Sequence, residues 1–201
     1  IAHPSTPASA YTICVDPDGL AAADTHAAPI AELIAAGQRV ILVEPFSTGH
    51  NRRPATTSAP ADAAKFFTIF NRTDACEAVY DIITTLLAAT DHNLSPAGLP
   101  PMPLPGRIRL MGFGRMGPVC LLARAMLPEF AVQENDVRLV ADMNAFDAQS
   151  DAAYVGQLFV PCIRRIGGLS AITAAAGNGP IWLHNTGGKL DIWVNSSGGG
   201  A

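Results

Sequence analysis

Residues 107–127 constrain the fold more tightly than any other stretch of the sequence. A short apolar run leads into three glycines, Gly112, Gly114 and Gly117, and apolar residues then recur at the spacing of a helix. A strand that enters a tight glycine turn and continues as a helix is typical of α/β proteins with a parallel sheet. Functional sites of these proteins gather at the carboxyl edge of the sheet. The glycine turn is therefore the first candidate for a functional site.

Strand and helix patterns alternate along the rest of the chain. A short helix is predicted over 169–176, and four further apolar runs predict strands at 11–15, 39–43, 136–141 and 179–183. This alternation favours a mostly parallel sheet with right-handed crossovers. We expect one three-layer α/β domain over residues 11–194, with 1–10 as a lead-in and 195–201 as a flexible tail.

Capping residues set the bounds of the two longer predicted helices. Asp24 or Thr25 can cap a helix that ends at Gly37. Asn71 or Thr73 opens the best helix of the chain. The apolar face predicted for that helix consists of Cys76, Val79, Tyr80, Ile83, Leu86 and Leu87.

The composition excludes several classes of protein. Of the 201 residues, 49% are hydrophobic and only 15% are charged, which indicates a globular domain with a sizeable core. A net charge of −4 without a run of basic residues leaves no electrostatic footprint for nucleic acid. Because no apolar run approaches the roughly 20 residues that span a bilayer, we expect a soluble protein without a membrane partner.

The cysteines and the first residue support two further expectations. The four cysteines are widely spaced in apolar segments and include no C-x-x-C pair. This spacing predicts buried free thiols rather than a zinc site or a disulfide scaffold. The chain begins at Ile1 without methionine or a signal peptide, so we expect a processed piece of a larger protein, of unknown location.

The glycine turn fits two chemistries, of which the first is dinucleotide binding. The string Gly112-Phe-Gly-Arg-Met-Gly117 matches the G-x-G-x-x-G loop that brings a pyrophosphate against a helix N-terminus. Such a loop binds NAD, NADP or FAD and needs an acidic residue about 20 positions on for the ribose. The acid that ends the next predicted strand is Asp142, 30 residues past Gly112, which weakens this interpretation.

The second chemistry is the nucleophile elbow, G-x-S-x-G, a strand-to-helix turn that exposes a catalytic serine. The order of segments along the chain is similar to that of the α/β-hydrolase superfamily, in its acetyl xylan esterase and prolyl-oligopeptidase-like branch. The resemblance covers nearly the whole predicted domain. The segments that carry it are the turn at 15–19, the strand and turn at 40–49, the segment 67–74, the glycine turn at 112–117, and the runs 159–168 and 179–184.

The resemblance implies roles for particular residues. It places an oxyanion loop at Asp16, the nucleophile at Gly114 and the catalytic acid at Asp191. The remaining predicted elbow or binding residues are Gly112, Arg115, Met116, Gly117 and His184. No metal or cofactor is implied. The implied partner is another domain or chain of the same hydrolase, and the implied substrate is an ester or a glycan.

The sequence departs from the hydrolase pattern where the chemistry should occur. Gly114 has no attacking atom, and Met116 stands where the elbow needs a second small residue. Because a positive φ costs glycine little, Gly114 is still expected at the elbow position with unusual backbone angles. The superfamily's histidine should follow the acid, but none of the ten residues after Asp191 is a histidine. Two of the three triad positions are therefore empty, and the chain is predicted to be inactive as a hydrolase by itself.

Other polar side chains offer weaker sites. His184 and Asp191 flank a glycine turn and could approach each other, and His50 could contact an acid or a phosphate. Asp142 with Asp147 and Asp151 could bind a metal, although capping and solvation explain them equally well. A structural histidine at a strand end explains His184 more simply, and a solvated loop explains His50.

Three hypotheses follow from the sequence. The first is a degenerate α/β-hydrolase domain, truncated before its last strand, that supports assembly or substrate binding in a larger hydrolase. The second is an oxidoreductase domain that binds a dinucleotide at residues 112–117. The third is an active ester hydrolase whose histidine and nucleophile come from another chain or domain.

Overall fold

Five parallel strands form the sheet at the centre of the protein. The computed structural model describes residues 10–52, 71–90, 106–127, 137–177 and 179–187. Its strands are β1 Ala10–Val15, β2 Gln38–Val43, β3 Ile108–Gly112, β4 Val137–Asp142 and β5 Ile181–His184. They are ordered β2-β1-β3-β4-β5, and every neighbouring pair is parallel. The predicted α/β fold with a parallel sheet is confirmed.

Helices cover both faces of this sheet. Their bounds are α1 Ala22–Thr25, α2 Ala27–Ala35, α3 Asp74–Thr90, α4 Met116–Met126, α5 Asp151–Gln157 and α6 Gly168–Ala175. α4 packs against β3 and β4 and touches α3 on one side and α6 on the other. The connection from β1 to β2 runs toward the opposite edge of the sheet from the later connections, so right-handed crossovers place α2 on the other face. The result is a three-layer arrangement.

The main core lies between the sheet and the layer formed by α3, α4 and α6. Alternate residues of the central strands point into it, and Ile108, Leu110, Val137 and Leu139 are at most 2% exposed. Almost the whole of α4 is buried because other elements pack on several of its sides. The glycine turn that precedes α4 is therefore held by the best packed part of the molecule.

The helix signals in the sequence were correct in part. Thr73 precedes α3, where the N–H of Cys76 donates to its Oγ1 at 3.3 Å, and Gly37 follows α2 with a φ of +77°. The cap predicted at Asp24 or Thr25 is wrong, because both residues lie inside the separate short helix α1. α2 begins after it at Ala27.

Two further features differ from the prediction. Tyr80 is 42% exposed, so it does not belong to the buried face of α3, which uses Ala78 and Ile82 instead. The helix α5 falls in a region for which no element was predicted. Its N-cap is Ser150, whose Oγ accepts the N–H of Ala153 at 3.3 Å.

No helix among the described residues is long and apolar enough to cross a membrane.

Candidate functional site

The carboxyl ends of the five strands meet along one edge of the sheet. Asp16 follows β1, Glu44 follows β2, and Gly114 lies two residues after β3. Asp142 and His184 are the last residues of β4 and β5. Parallel topology therefore brings together three carboxylates, a histidine and the glycine turn, at the edge where α/β proteins bind ligands.

Gly114 has the backbone conformation that the sequence predicts. Its φ is +49°, in the left-handed region that favours glycine. The helix starts immediately, since the N–H groups of Met116 and Gly117 donate to the carbonyls of Phe113 and Gly114. A Cβ built on Gly114 would have no heavy atom nearer than 3.6 Å. There is room for a side chain at this position, but glycine supplies none.

The two flanking glycines are required by packing. A Cβ on Gly117 would overlap the backbone carbonyl oxygen of Asp142, at the end of β4. A Cβ on Gly112 would lie 2.8 Å from both Sγ of Cys120 and Cα of Gly117. These contacts let α4 approach β3 and β4 closely. The spacing of the glycine string therefore has a structural explanation that needs no dinucleotide.

The carboxylate of Asp142 lies against the glycine turn. The N–H of Gly114 donates to its Oδ2 at 3.3 Å, while the N–H of Asn144 and Nδ2 of Asn185 donate to its Oδ1 at 2.8 and 2.9 Å. Burial acts to raise the pKa of Asp142, but these hydrogen bonds and nearby His184 outweigh it and hold that pKa below its ordinary value. The side chain is ionised and internally bonded at neutral pH.

His184 lies opposite Asp142 in the register of β4 and β5. Its backbone carbonyl accepts the N–H of Met143 at 2.9 Å, and the residue is exposed. The structure therefore places this predicted site residue at the edge, beside Asp142. The other partner proposed for it, Asp191, lies outside the described residues.

The turn after β1 uses its polar groups internally. Pro17 has no N–H, and the N–H groups of residues 18–20 donate to Oδ1 and the carbonyl of Asp16 and to Oε1 of Glu44. Oδ2 of Asp16 lies 3.1 Å from Nε2 of His26. The amides of this turn therefore already have protein acceptors, and none is left to bind an oxyanion.

Glu44 holds the turns after β1 and β2 together. Its Oε1 accepts the N–H of His50 at 2.9 Å and that of Leu20 at 3.2 Å, and lies 2.9 Å from Nδ1 of His50. A Cβ on Gly19 or Gly49 would overlap this carboxyl group, so both glycines make space for it. The hydrogen bonds from His50, and then that from Leu20, outweigh burial and lower the pKa of Glu44.

Two arginines connect the same turns. Nη2 of Arg52 donates to the carbonyl of Pro17 at 2.8 Å and to Oδ1 of Asp18 at 2.7 Å. Nη2 of Arg115, a predicted elbow residue, donates to the carbonyl of Ser47 at 3.1 Å. Arg115 thus links the glycine turn to the turn after β2. Met116, the other elbow residue, is buried at the start of α4.

The three aspartates considered for a metal do not converge. Asp147 accepts the N–H of Gln149 at 3.1 Å, and Asp151 pairs with Nε of Arg164 at 2.9 Å. Asp142 has the partners given above. The part of the chain that the structure describes contains no group of three potential metal ligands.

A small apolar pocket lies behind the edge, between α1, α2 and the sheet. It is lined by residues of β1, β2 and β3, close to the point where the strand order reverses between β1 and β3. The ring of His26 stacks on that of Phe113 with centroids 4.3 Å apart. The lining includes Cys14, His26, Ile30, Leu33, Leu42, Met111 and Phe113.

The two buried thiols are poor nucleophiles. Burial raises the pKa of Cys14 to about 11, against a smaller lowering by Arg109. Burial likewise raises the pKa of Cys120. Because the thiolate is the reactive form, neither cysteine replaces the serine that Gly114 lacks.

Sequence reasoning missed Glu44, Arg52 and the contact between Asp142 and Gly114. Glu44 directly follows a continuous apolar strand, and that position was the only available signal.

The sequence matches no protein-family model, and no curated protein is significantly similar to it.

Proposed function

We propose that this chain is a non-catalytic domain of the α/β-hydrolase type that supports assembly or substrate binding in a larger hydrolase. The observation that carries the proposal is Gly114. It lies directly after a central strand, in the left-handed conformation typical of an elbow, with space for a side chain. A serine at such a position would be exposed for attack, whereas glycine has no atom that can form an acyl intermediate.

The surroundings of Gly114 also argue against acyl transfer. Catalysis of this kind requires N–H donors aimed at the developing oxyanion. The turn that should provide one carries Pro17, and its next three amides already have protein acceptors. The ionised carboxylate of Asp142 lies beside the glycine turn and would repel a second negative charge there.

The order of the strands differs from that of the usual dinucleotide-binding fold. In the usual dinucleotide fold the glycine loop follows the first strand of the chain. Here it follows the third, which lies at the centre of the sheet between β1 and β4. Of the two earlier strands, β1 lies beside β3 and β2 lies beyond β1, and all three are parallel.

Dinucleotide binding is the second candidate, and one observation favours it. β4 is the parallel neighbour of β3 and ends in Asp142, so an acid does lie at the strand end where the ribose of a dinucleotide would be held. The same carboxylate, however, takes the N–H of Gly114 that the pyrophosphate would need. Calorimetric titration with NAD, NADP and FAD is expected to show no saturable binding. Micromolar binding lost in Gly114→Ala would overturn our choice.

The third hypothesis, an active hydrolase completed by another chain, makes a different prediction. Hydrolysis of p-nitrophenyl acetate would then be absent in this chain alone and appear when the flanking domain of its parent protein is added. We expect no turnover by this chain alone, and for the mixture only the rate that the flanking domain shows by itself. A gain that depends on a residue of this chain, such as His26 or His184, would instead establish a shared active site.

A further inference from the structure

The second face of the sheet is covered unevenly. α2 packs over β2 and reaches Met111 through the apolar pocket. Farther across, the residues of β3, β4 and β5 that point to this side are only partly covered, and Trp182 is 51% exposed. Their neighbours on the opposite face are buried in β3 and β4 and partly buried in β5. We call this surface the open face; it consists of Arg109, Met111, Arg138, Val140 and Trp182.

The open face combines positive charge with apolar area. Arg109 lies directly opposite Arg138 in the register of β3 and β4. Like charges in this position repel each other, and neither arginine forms an ion pair with a carboxylate among the described residues. Val140, two residues after Arg138 and on the same face of the sheet, lies opposite Trp182. A row of two guanidinium groups thus borders an apolar row.

We infer that the open face binds an amphipathic helix of a partner domain, with carboxylates toward the arginines and apolar side chains toward Val140 and Trp182. Parallel sheets are normally covered by helices on both faces. Three strands spaced about 4.8 Å apart present a width of roughly 10 Å, which is the diameter of one helix. Such a helix would lie beside α2 and complete the layer that α2 begins.

The charge of the open face favours a helix that carries carboxylates over a second copy of this chain. In a symmetric dimer the same patch meets itself, so a second copy of this chain would gather four guanidinium groups in one interface, with no carboxylate supplied by either open face. A helix carrying carboxylates removes the repulsion within the pair instead. The identity of the partner as another domain of a larger hydrolase rests on the proposed function; the surface and its chemistry do not.

Fluorescence of Trp182 gives a direct test on the full chain. The chain has two tryptophans, so Trp193→Phe leaves Trp182 as the sole indole. The probes are two amphipathic peptides of about 20 residues, long enough to be helical, built from leucine with either glutamate or lysine. We expect the glutamate peptide to shift the emission of Trp182 saturably and the lysine peptide to bind at least tenfold more weakly.

Charge reversal supplies the matched controls. Combining Arg109→Glu with Arg138→Glu should reverse the preference between the two peptides, whereas Arg165→Glu, at an exposed arginine away from the sheet, should leave it unchanged. Circular dichroism verifies that each variant folds; if the double reversal does not fold, either single reversal should weaken binding of the glutamate peptide.

Several results would overturn this inference. They are equal binding of both peptides, absence of binding by either, and dimerisation in sedimentation velocity that the double reversal abolishes, which would assign the face to a second copy. None of these results depends on ester hydrolysis. The esterase assays can therefore refute the proposed function while leaving the open face intact, and the peptide titration can do the reverse.

Discussion

Substitution of Gly117 by alanine tests how closely α4 approaches the sheet. The added methyl group would overlap the carbonyl oxygen of Asp142 and lie 3.1 Å from its backbone nitrogen. These are backbone atoms of β4, so relief requires α4 and β4 to move apart. Overpacking of this kind costs about 1–3 kcal/mol, and the rigid neighbour favours the upper half of that range. For a chain of this size each kcal/mol lowers Tm by about 2–4 °C, so we expect a fall of roughly 4–12 °C.

Gly156→Ala is the matched control for that substitution. Gly156 lies in α5, and a Cβ there would meet nothing within 4 Å. Alanine is favoured over glycine in a helix by roughly 0.5–1 kcal/mol, so this variant should be as stable as the wild type or slightly more stable. Thermal unfolding followed by circular dichroism compares the two. Equal Tm values for both variants would refute the close approach of α4 to β4.

Two further predictions concern titration and thiol reactivity. Because the pKa of Asp142 is depressed below the value of about 3.9 in an unfolded chain, its contribution to stability is complete above that pH and is lost as pH falls through the depressed pKa. Asp142→Asn should therefore reduce the loss of stability on acidification; an unchanged acid-unfolding curve would contradict the hydrogen bonds to this carboxylate. In the native protein, Cys162 is exposed whereas Cys14 and Cys120 are buried, so a thiol reagent should modify Cys162 rapidly and the two buried thiols only after unfolding. Loss of the rapid phase in Cys162→Ser confirms that assignment, and rapid labelling of Cys14 would contradict its raised pKa.

Much of the sheet could be predicted because its strands are continuous apolar runs. β1, β2 and β4 are found within a residue of the predicted runs. Burial on both faces leaves few polar positions in β1, and one buried face of β4 keeps its apolar residues at alternate positions. The helix ends at Gly37 and Thr73 were visible for a related reason. A left-handed glycine and a capping hydroxyl act locally, so three or four residues of sequence suffice to detect them.

The wrong helix predictions concern features that depend on the packing of the whole chain or that have only a weak local pattern. Tyr80 has helical spacing with the apolar residues of α3 but lies at the margin of its buried face, and only the position of the sheet determines that margin. The helix α5 is short and has a weak apolar pattern, so Ser150 was its main local signal. Asp24 and Thr25 are good capping residues, yet the chain forms a separate turn of helix through them before α2 begins.

In the candidate site, too, local features could be predicted from the sequence and long-range contacts could not. The left-handed conformation of Gly114 was predicted from the glycine itself, and the structure confirms it. The bond between Asp142 and Gly114, and the role of Glu44 between two turns, depend on which strands are neighbours. Strand order is a property of the whole chain, so no local pattern could reveal these contacts.

The resemblance of the turn to a dinucleotide loop is also explained by packing. Positions 112 and 117 must be glycine because the helix begins so close to two parallel strands that a Cβ would clash, with or without a ligand. Gly114 alone among the three has free space beside it. The glycine string therefore indicates a tight strand–turn–helix junction. It indicates dinucleotide binding only where the surrounding residues can also bind the phosphates and the ribose.

The proposed function requires that the glycine turn has the geometry of a nucleophile elbow but carries no catalytic group. Its most direct test is the rate of p-nitrophenyl acetate hydrolysis by the wild-type chain, measured beside Gly114→Ala, His26→Ala and Cys14→Ala. We predict four identical rates, proportional to protein concentration and without saturation in substrate. Saturable turnover by the wild type that disappears in any one of these variants would contradict the account and identify the chain as an active esterase.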